Sequence, residues 1–372
     1  MPSSRTIVAE SRGTQVSLGK LVGWVSAFIA VVLAVALLFS SARKIPRNVA
    51  YVSEEEGGIS VINLDTLQVE KRIHLENFSP RGIGITFDGK RLITANKNTA
   101  DASVFDTRGL RLIRRIKVGE NPEFVKLHPS GKWLFTSFEP GSSGGPPGQG
   151  TEATGEKDED NQPSQIIAFN VKDWSRERAF TAGTETEGIE FSRDGRLIVV
   201  ANEAQNTIGI FEIETGKRIR EIELAPYGIR PRGIKISPGG NSYAVTLEAS
   251  GTLLLLDENF NVTRSISTGA KPYGVAFDRE GRRIFVAAAA ARKLQIFSAD
   301  SFQLLGEADT GQRCWHFTFT PDDSKILLAC GRSNDVHVID AKTYRPIRAI
   351  GGFHLPWGIV AFPRAFGSLG LP

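Results

Sequence analysis

Short hydrophobic runs alternate along the chain with turns rich in Gly, Asp and Pro, and one phrase recurs. P-R-G-I-G-I-T-F-D-G-K-R-L-I-T-A-N begins at Pro80, and P-E-F-V-K-L-H-P-S-G-K-W-L-F-T-S begins at Pro122. Later copies begin at Thr186, Pro231, Pro272, Cys314 and Pro356, so successive starts are 42, 64, 45, 41, 42 and 42 residues apart. A period of this length is typical of a stacked repeat array, and the turn pattern favours four short strands per unit over paired helices.

The first full unit predicts strands at about 82–86, 91–95, 102–106 and 110–117. The seventh copy stops after one strand, whereas three strands without the phrase (VAYVS, ISVINL and QVEKRIHL) follow Asn48. Pairing these two chain ends in one blade would close a ring and remove exposed sheet edges. We therefore predict an all-β, seven-bladed β-propeller with four-stranded blades over residues 48–363, followed by a C-terminal tail at 364–372.

The 64-residue interval holds an insert in blade two, residues 139–164, with the sequence EPGSSGGPPGQGTEATGEKDEDNQPS. Its Gly, Pro and acidic composition predicts a disordered loop, because too little apolar surface is available for burial. Six acidic residues against Lys157 give it a local charge of −5. The insert is either a solvated loop or a docking element for a basic partner.

Nineteen uncharged, mostly apolar residues, Leu21–Phe39, precede the repeats. As a helix they would be about 28 Å long, which nearly matches a bilayer core. We predict one transmembrane anchor over 21–39, between an N-terminal tail (1–20) and a linker (40–47). The small residues at 40–42 leave signal-peptide cleavage open as the alternative. Three basic residues flank the span on each side, so charge does not decide its orientation.

Strand direction assigns the loops to two faces, taking strand a of each blade as the innermost. Loops that enter strand a and loops that join strands b and c share one face, here called the mouth face, which also carries the insert. The link from the anchor enters a b strand from the opposite face, and the tail leaves from that face.

The second residue of each phrase is predicted to ring the channel mouth. In order around the propeller, the ring is Arg81, Glu123, Glu187, Arg232, Tyr273, Trp315 and Trp357. One interpretation is structural: Arg81 pairs with Glu123, Arg232 pairs with Glu187, and the aromatic residues plug the channel. The other is a shallow site for a small polar ligand or a partner's side chain.

Composition and motifs argue against several function classes. The 45 basic and 41 acidic residues are scattered singly, which disfavours nucleic-acid binding. The five histidines lack metal-ligand spacing with one another, no haem-attachment run occurs, and no nucleophile elbow or phosphate loop is present. His316, beside Trp315, fits a hydrogen-bonded core residue better than a ligand. We predict no cofactor, no metal and no catalytic residue.

The only two cysteines, Cys314 and Cys330, open and close one hairpin. A register that sets Phe317 opposite Leu327 also sets the cysteines opposite each other, within disulfide reach. Two separate buried thiols are the alternative.

The phrases R-P-R-G-I, T-P-D-D-S-K, S-N-D-V-H-V-I-D and L-P-W-G-I resemble those of YVTN-type propellers over about 48–363. Within that group the chain is most similar to the PQQ-dependent catabolism-associated propeller proteins, on the runs from Gly311 to Trp315 and from Ser333 to Asp340. The resemblance implies export and a place near periplasmic quinoprotein oxidation, without assigned catalytic residues. The chain differs from these proteins in its hydrophobic span and its acidic insert.

Together these features predict a non-enzymatic interaction subunit. The propeller would lie in the periplasm on a single-pass anchor and bind an integral-membrane complex for electron transfer or energy transduction, of the quinoprotein or photosynthetic type. The alternative is a protein that binds a small molecule or cofactor, or a hydrolase-like enzyme, using the mouth ring.

Overall fold

Twenty-eight β-strands form seven antiparallel four-stranded sheets in the part of the chain that the structure describes. The structure is a computed structural model and describes residues 45–140 and 162–371. Within these residues no helix is long and apolar enough to cross a membrane. The predicted span Leu21–Phe39 lies outside them.

Each blade takes four strands, named in chain order. Blade one has β4 (Pro80–Ile85), β5 (Arg91–Asn96), β6 (Asp101–Asp106) and β7 (Arg111–Lys117). Blade two has β8 (Pro122–Leu127), β9 (Trp133–Phe138), β10 (Gln165–Asn170) and β11 (Arg176–Thr181). Blade three has β12 (Thr186–Phe191), β13 (Leu197–Asn202), β14 (Thr207–Glu212) and β15 (Arg218–Glu223). Blade four has β16 (Pro231–Ile236), β17 (Ser242–Leu247), β18 (Thr252–Asp257) and β19 (Val262–Ser267).

Blade five has β20 (Pro272–Phe277), β21 (Arg283–Ala288), β22 (Lys293–Ser298) and β23 (Leu304–Asp309). Blade six has β24 (Cys314–Phe319), β25 (Lys325–Cys330), a short 3-10 turn (Gly331–Ser333), β26 (Asp335–Asp340) and β27 (Pro346–Gly351). Blade seven joins the chain ends, with β28 (Pro356–Phe362) paired to β1 (Val49–Glu54), which is followed by β2 (Gly58–Asn63) and β3 (Gln68–His74).

The predicted closure of the ring is confirmed. Val49 pairs with Phe362 and Tyr51 with Val360, so the last strand of the chain is the innermost strand of the blade that the first strands complete. Neighbouring innermost strands contact each other around the whole ring, including β28 with β4. Seven four-stranded blades therefore stand as the sequence period predicts.

A bulge near the start of every innermost strand aims one side chain at the channel mouth. In blade three, Thr186 pairs with Asn202 and Gly188 with Ala201, so Glu187 has no partner in the ladder. The other six blades shift register at the equivalent point. Because an extra residue in one strand turns its side chain away from the regular pleat, the second residue of each phrase is presented at the mouth.

The third residue of most phrases is glycine because neighbouring innermost strands nearly touch there. A Cβ at Gly188 would lie 2.4 Å from the carbonyl oxygen of Arg232, and a Cβ at Gly274 would lie 2.5 Å from that of Trp315. Side chains are excluded at these contacts, so blades converge closely at the axis.

The C-terminal tail leaves from the opposite face, as predicted, but then folds back into the channel. The Phe319 amide donates to the Phe366 carbonyl at 2.8 Å, and the Ser368 amide donates to the Phe317 carbonyl at 3.0 Å. Leu369 is buried in the same hydrophobic cluster as Tyr273. Residues 365–371 thus continue the packing of the propeller.

The bounds of the insert are narrower than predicted at its two ends. Glu139 and Ser164 are buried, and Phe138 pairs directly with Gln165 across the insertion point. Both end residues belong to the framework of blade two because their backbone amides bond to the neighbouring loops. Residues 141–161, which hold the rest of the predicted disordered loop, lie outside the described residues.

Candidate functional site

The mouth ring lies where the sequence places it, but its side chains are withdrawn from solvent. Arg81, Glu123, Tyr273, Trp315 and Trp357 are each at most 3% exposed. Each is preceded, one residue before its strand, by a residue with left-handed φ between 48° and 54°. The chain therefore turns at this residue immediately before it enters the innermost strand and its bulge.

Arg81 joins blades one, two and seven through two carboxylates. Its guanidinium pairs with Glu123, as predicted, and its Nε lies 3.1 Å from an oxygen of Glu55. Burial raises the pKa of Glu123 to about 7, because it outweighs the nearby Arg81. Glu55 was not among the residues predicted for the mouth.

Arg232 is the centre of a larger ion-pair cluster. It pairs with Glu187, as predicted, and also with Glu203 and Glu248, whose oxygen lies 2.7 Å from the Arg232 Nε. The second Glu248 oxygen lies 3.3 Å from Arg313. Burial would raise the pKa of Glu248, but Arg232 and Arg313 outweigh it and hold the pKa below its usual value.

The aromatic residues fill the mouth beside this cluster. The Tyr273 hydroxyl donates to Glu187 at 3.1 Å, and the Arg232 guanidinium lies 5.1 Å from the centre of the Tyr273 ring. The His316 ring is 4.4 Å from the Trp357 ring and 5.4 Å from the Tyr273 ring. These contacts agree with the structural interpretation of the ring.

His316 is a core residue tied to the tail. Its Nδ1 lies 3.1 Å from the Ser368 hydroxyl, and burial lowers its pKa to about 3. No group of the described residues bonds to its Nε2. The imidazole is therefore neutral at physiological pH.

Four acids that contribute to the mouth were missed because they belong to a second repeat position. Glu55, Glu139, Glu203 and Glu248 each follow the second strand of a blade by one residue. Counting that position across the repeats would have found them. Hence the charged groups of the mouth come from two repeat positions, of which only one was predicted.

Glu139 forms no ion pair with a cation of the described residues. The Asn121 amide donates to one of its oxygens at 3.1 Å, while no donor among the described residues reaches the other. Burial, Glu123, Glu187 and Glu185 all raise its pKa well above the usual value. Burial and these carboxylates therefore favour the protonated form of Glu139.

Below the mouth, the channel wall carries a buried charged triad. Lys126 lies 2.9 Å from Glu190, and Lys235 lies 3.6 Å from the same oxygen. The Lys235 ammonium also donates to the Gly370 carbonyl at 2.8 Å. Through this bond the tail supplies an acceptor that the triad needs.

Cys314 and Cys330 form a disulfide in blade six, with Cα atoms 3.7 Å apart. The expected register of that hairpin is wrong by one residue, since Phe317 lies opposite Leu328. The bulge between Cys314 and His316 shifts the register by one residue, so the two cysteines still lie opposite each other. Asp335 and His337 lie close to Cys330, a cluster that the sequence spacing between histidines could not reveal.

The family comparison indicates a relationship to lactonase-type propellers. A sequence model described as "Lactonase, 7-bladed beta-propeller" matches residues 164–261, a span that contains Glu187, Glu203, Arg232 and Glu248. Among curated proteins, Protein NirF of Stutzerimonas stutzeri is 20% identical over 338 residues, covering 85% of this chain and 80% of NirF.

Solved structures share the architecture at low identity. Pseudomonas aeruginosa periplasmic gluconolactonase (TM-score 0.65, 15% identity) is matched over 86% of this chain and 99% of its own. Dihydro-heme d1 dehydrogenase NirN, in complex with DHE, is matched with a TM-score of 0.61 and 13% identity over 84% of this chain and 75% of its own. The chain is thus a seven-bladed propeller that resembles lactonase-type propellers and NirF.

Proposed function

We propose that this chain is a non-enzymatic interaction subunit that binds an integral-membrane electron-transfer or energy-transducing complex through its mouth face. The observation that carries this proposal is the mutual neutralisation of the ring. Arg232 alone engages three carboxylates, and Arg81 engages two. Charged groups paired in this way link neighbouring blades, as Arg81–Glu123 and Arg232–Glu187 do.

The exposed charges of the mouth face are divided by sign, which favours a binding role for its rim. Glu56, Glu76 and Glu120 are exposed around blades seven, one and two. Lys271, Arg292 and Arg332 are exposed on the loops of blades five and six. Two sectors of opposite charge would fix the orientation of a partner and steer its approach.

Exposed apolar residues lie between the two sectors. Tyr227 and Ile229, on the loop that enters blade four, are 42% and 43% exposed and precede Arg230. Tyrosine and arginine are enriched among the residues that contribute most to binding at protein interfaces. This loop is the expected centre of the contact.

The location in this proposal is a membrane-anchored propeller in the periplasm. The apolar span at 21–39 supports an anchor, and the resemblance to PQQ-dependent catabolism-associated propellers supports export. The acidic insert, which starts on the same face, would add attraction for a basic partner.

Charge reversal in each of the two sectors of the mouth face tests the proposal. A tagged full-length chain would be purified from its native membranes without crosslinker, beside Lys271→Glu/Arg292→Glu and Glu76→Lys/Glu120→Lys variants. The matched control is Lys217→Glu, an exposed residue on the opposite face. As the salt concentration rises, we expect both mouth-face variants to release the partner at a lower concentration than the control does. Equal retention of all variants, or isolation of free monomer only, would contradict a docking role.

A second candidate function is lactone hydrolysis, which the family match over the Arg232 cluster favours. In that case Glu248 would accept a proton from the attacking water, while Arg232 and Arg313 would stabilise the oxyanion before the ring opens to a hydroxy acid. The low pKa of Glu248 makes it a weak base, which is why this function ranks second. Lactone hydrolysis would be supported if the chain hydrolyses gluconolactone faster than the spontaneous reaction and Glu248→Gln loses that gain. A rate equal to the spontaneous rate would exclude this substrate.

A further inference from the structure

Three groups of the kind that bind zinc, Cys330, Asp335 and His337, meet at the mouth end of blade six, and a fourth, Cys314, is bonded to Cys330. Cys314 lies opposite Cys330 in one ladder, and Cys330 lies opposite Asp335 in the next. His337 follows two residues later, on the same side of β26 as Asp335. The Cys330 Sγ, a carboxylate oxygen of Asp335 and a ring nitrogen of His337 all lie within 4.8 Å of one another.

The Asp335 and His337 side chains are oriented by neighbouring groups. Nε2 of His337 lies 3.3 Å from Asp335, and the Ser333 hydroxyl donates to the other Asp335 oxygen at 2.7 Å. The backbone amide of Gln312 in turn donates to the Ser333 hydroxyl at 2.9 Å. Such outer contacts commonly fix the ligands of metal sites.

Access differs between the two halves of the group. Both cysteines are buried, whereas the side chains of Asp335 and His337 are 18% and 19% exposed. An ion could therefore meet the carboxylate and the imidazole first and reach the sulfur atoms behind them.

We propose that reducing the Cys314–Cys330 disulfide turns this corner into a zinc site with Cys314, Cys330, Asp335 and His337 as its four ligands. A thiol or phosphine reductant supplies two electrons, the S–S bond breaks, and two protons complete the thiols. Zinc then displaces both thiol protons to solvent and binds two thiolates, one carboxylate oxygen and one imidazole nitrogen. Zinc favours such a tetrahedral set of sulfur, nitrogen and oxygen ligands.

The disulfide and the metal are alternatives at this corner. In the oxidised chain no thiolate is available, since both sulfur atoms are bonded to each other. In the reduced chain zinc would hold the starts of β24 and β26 and the end of β25 together in place of the disulfide. This inference does not depend on the proposed docking function.

Cobalt substitution in the full-length protein tests the site directly. The purified chain is reduced with a phosphine under argon, desalted and titrated with Co²⁺. Thiolate ligation gives a sulfur-to-cobalt charge-transfer band and tetrahedral ligand-field bands, which added Zn²⁺ should remove. We expect one equivalent of metal in the reduced chain and none at this site in the oxidised chain.

Variants distinguish a four-ligand metal site from metal binding by the two thiols alone. His337→Ala and Asp335→Asn should each weaken zinc binding at least about tenfold in competition with a chelating dye. Cys330→Ser should abolish the charge-transfer band. His74→Ala is the matched control, because His74 is exposed on the outer strand of blade seven, and it should bind as the parent does.

Three results would overturn the inference. They are a reduced chain without the charge-transfer band, unchanged affinity in both His337→Ala and Asp335→Asn, and equal binding by the oxidised chain. Circular dichroism shows whether reduction unfolds the chain. If it does, zinc should restore the fold, and failure to do so would also refute the site.

Discussion

Replacing Arg232 with alanine removes the cation that three carboxylates of the mouth share. Arg232 is buried and pairs with Glu187, Glu203 and Glu248. Arg313 would still contact Glu248, and Arg230 would still contact Glu203. Glu187 would keep only the Tyr273 hydroxyl among the contacts described above.

Breaking a buried ion pair by removing one partner costs about 3–5 kcal/mol, since the other charge stays buried. We expect a loss of that size in the free energy of unfolding at pH 7.5. The pH dependence should also change, because Glu123 and Glu139 already bind protons more tightly in the folded parent and the variant adds further carboxylates of this kind. In the parent, Glu248 has a lowered pKa, so its contribution is present above the unfolded value and is lost as pH falls. Without Arg232 the buried carboxylates bind protons more tightly than in the unfolded chain, so the variant should regain stability as pH falls towards 5.

Urea unfolding of both proteins at pH 5 and 7.5 measures this change. Arg218→Ala is the matched control, because its ion pair with Glu221 is half exposed and should contribute about 0.5 kcal/mol or less. A loss below about 1 kcal/mol for Arg232→Ala, or the same pH slope in variant and parent, would refute the assignment of Arg232 as the central cation.

Three further predictions concern other parts of the framework. Glu139→Gln should become more stable than the parent as pH rises from 5 to 8. The pKa of Glu139 is raised in the folded chain, so its ionisation opposes folding in the parent. Thermal unfolding of both proteins at pH 5 and pH 8 measures the difference. Ser368→Ala should cost about 1–3 kcal/mol in urea unfolding, since His316 and the Phe317 amide both lose their partner; no loss would mean that the tail does not brace the channel. Deleting 142–162 should leave the circular dichroism spectrum of the blades unchanged, because Phe138 and Gln165 still pair on either side of the cut; an unfolded product would contradict that boundary.

The fold was predictable because the repeat phrase marks a structural necessity. Pro80 and its equivalents begin the innermost strands, and glycine two residues later permits the close contact between blades. A residue pattern required by packing recurs in most blades and can therefore be counted in one sequence. Ring closure followed from the incomplete first and last units.

The site was only partly predictable because its charges depend on contacts between blades. The pairs Arg81–Glu123 and Arg232–Glu187 join adjacent copies of one position and were expected. Glu248 is at a different position, 16 residues after Arg232, and its contribution requires knowing how the second strand ends. The entry of the tail into the channel had no signal in the repeat, since residues 364–372 lie beyond it.

Redox and metal chemistry in blade six was least accessible from sequence. Cys330, Asp335 and His337 are close because β25 and β26 pair in one particular register. The separation of these residues in sequence does not match a common zinc motif. A bulge that moved the ladder by one residue would have separated them, so only the register reveals the cluster.

The docking claim is tested most directly by the structure of the full-length protein in its native membrane fraction, determined without crosslinker. Our account predicts that an integral-membrane complex covers the mouth face, with Tyr227 and Ile229 at the contact and basic groups of the partner facing Glu76 and Glu120. A propeller found as a free monomer with this face in solvent, or one bound to its partner through the opposite face, would contradict it.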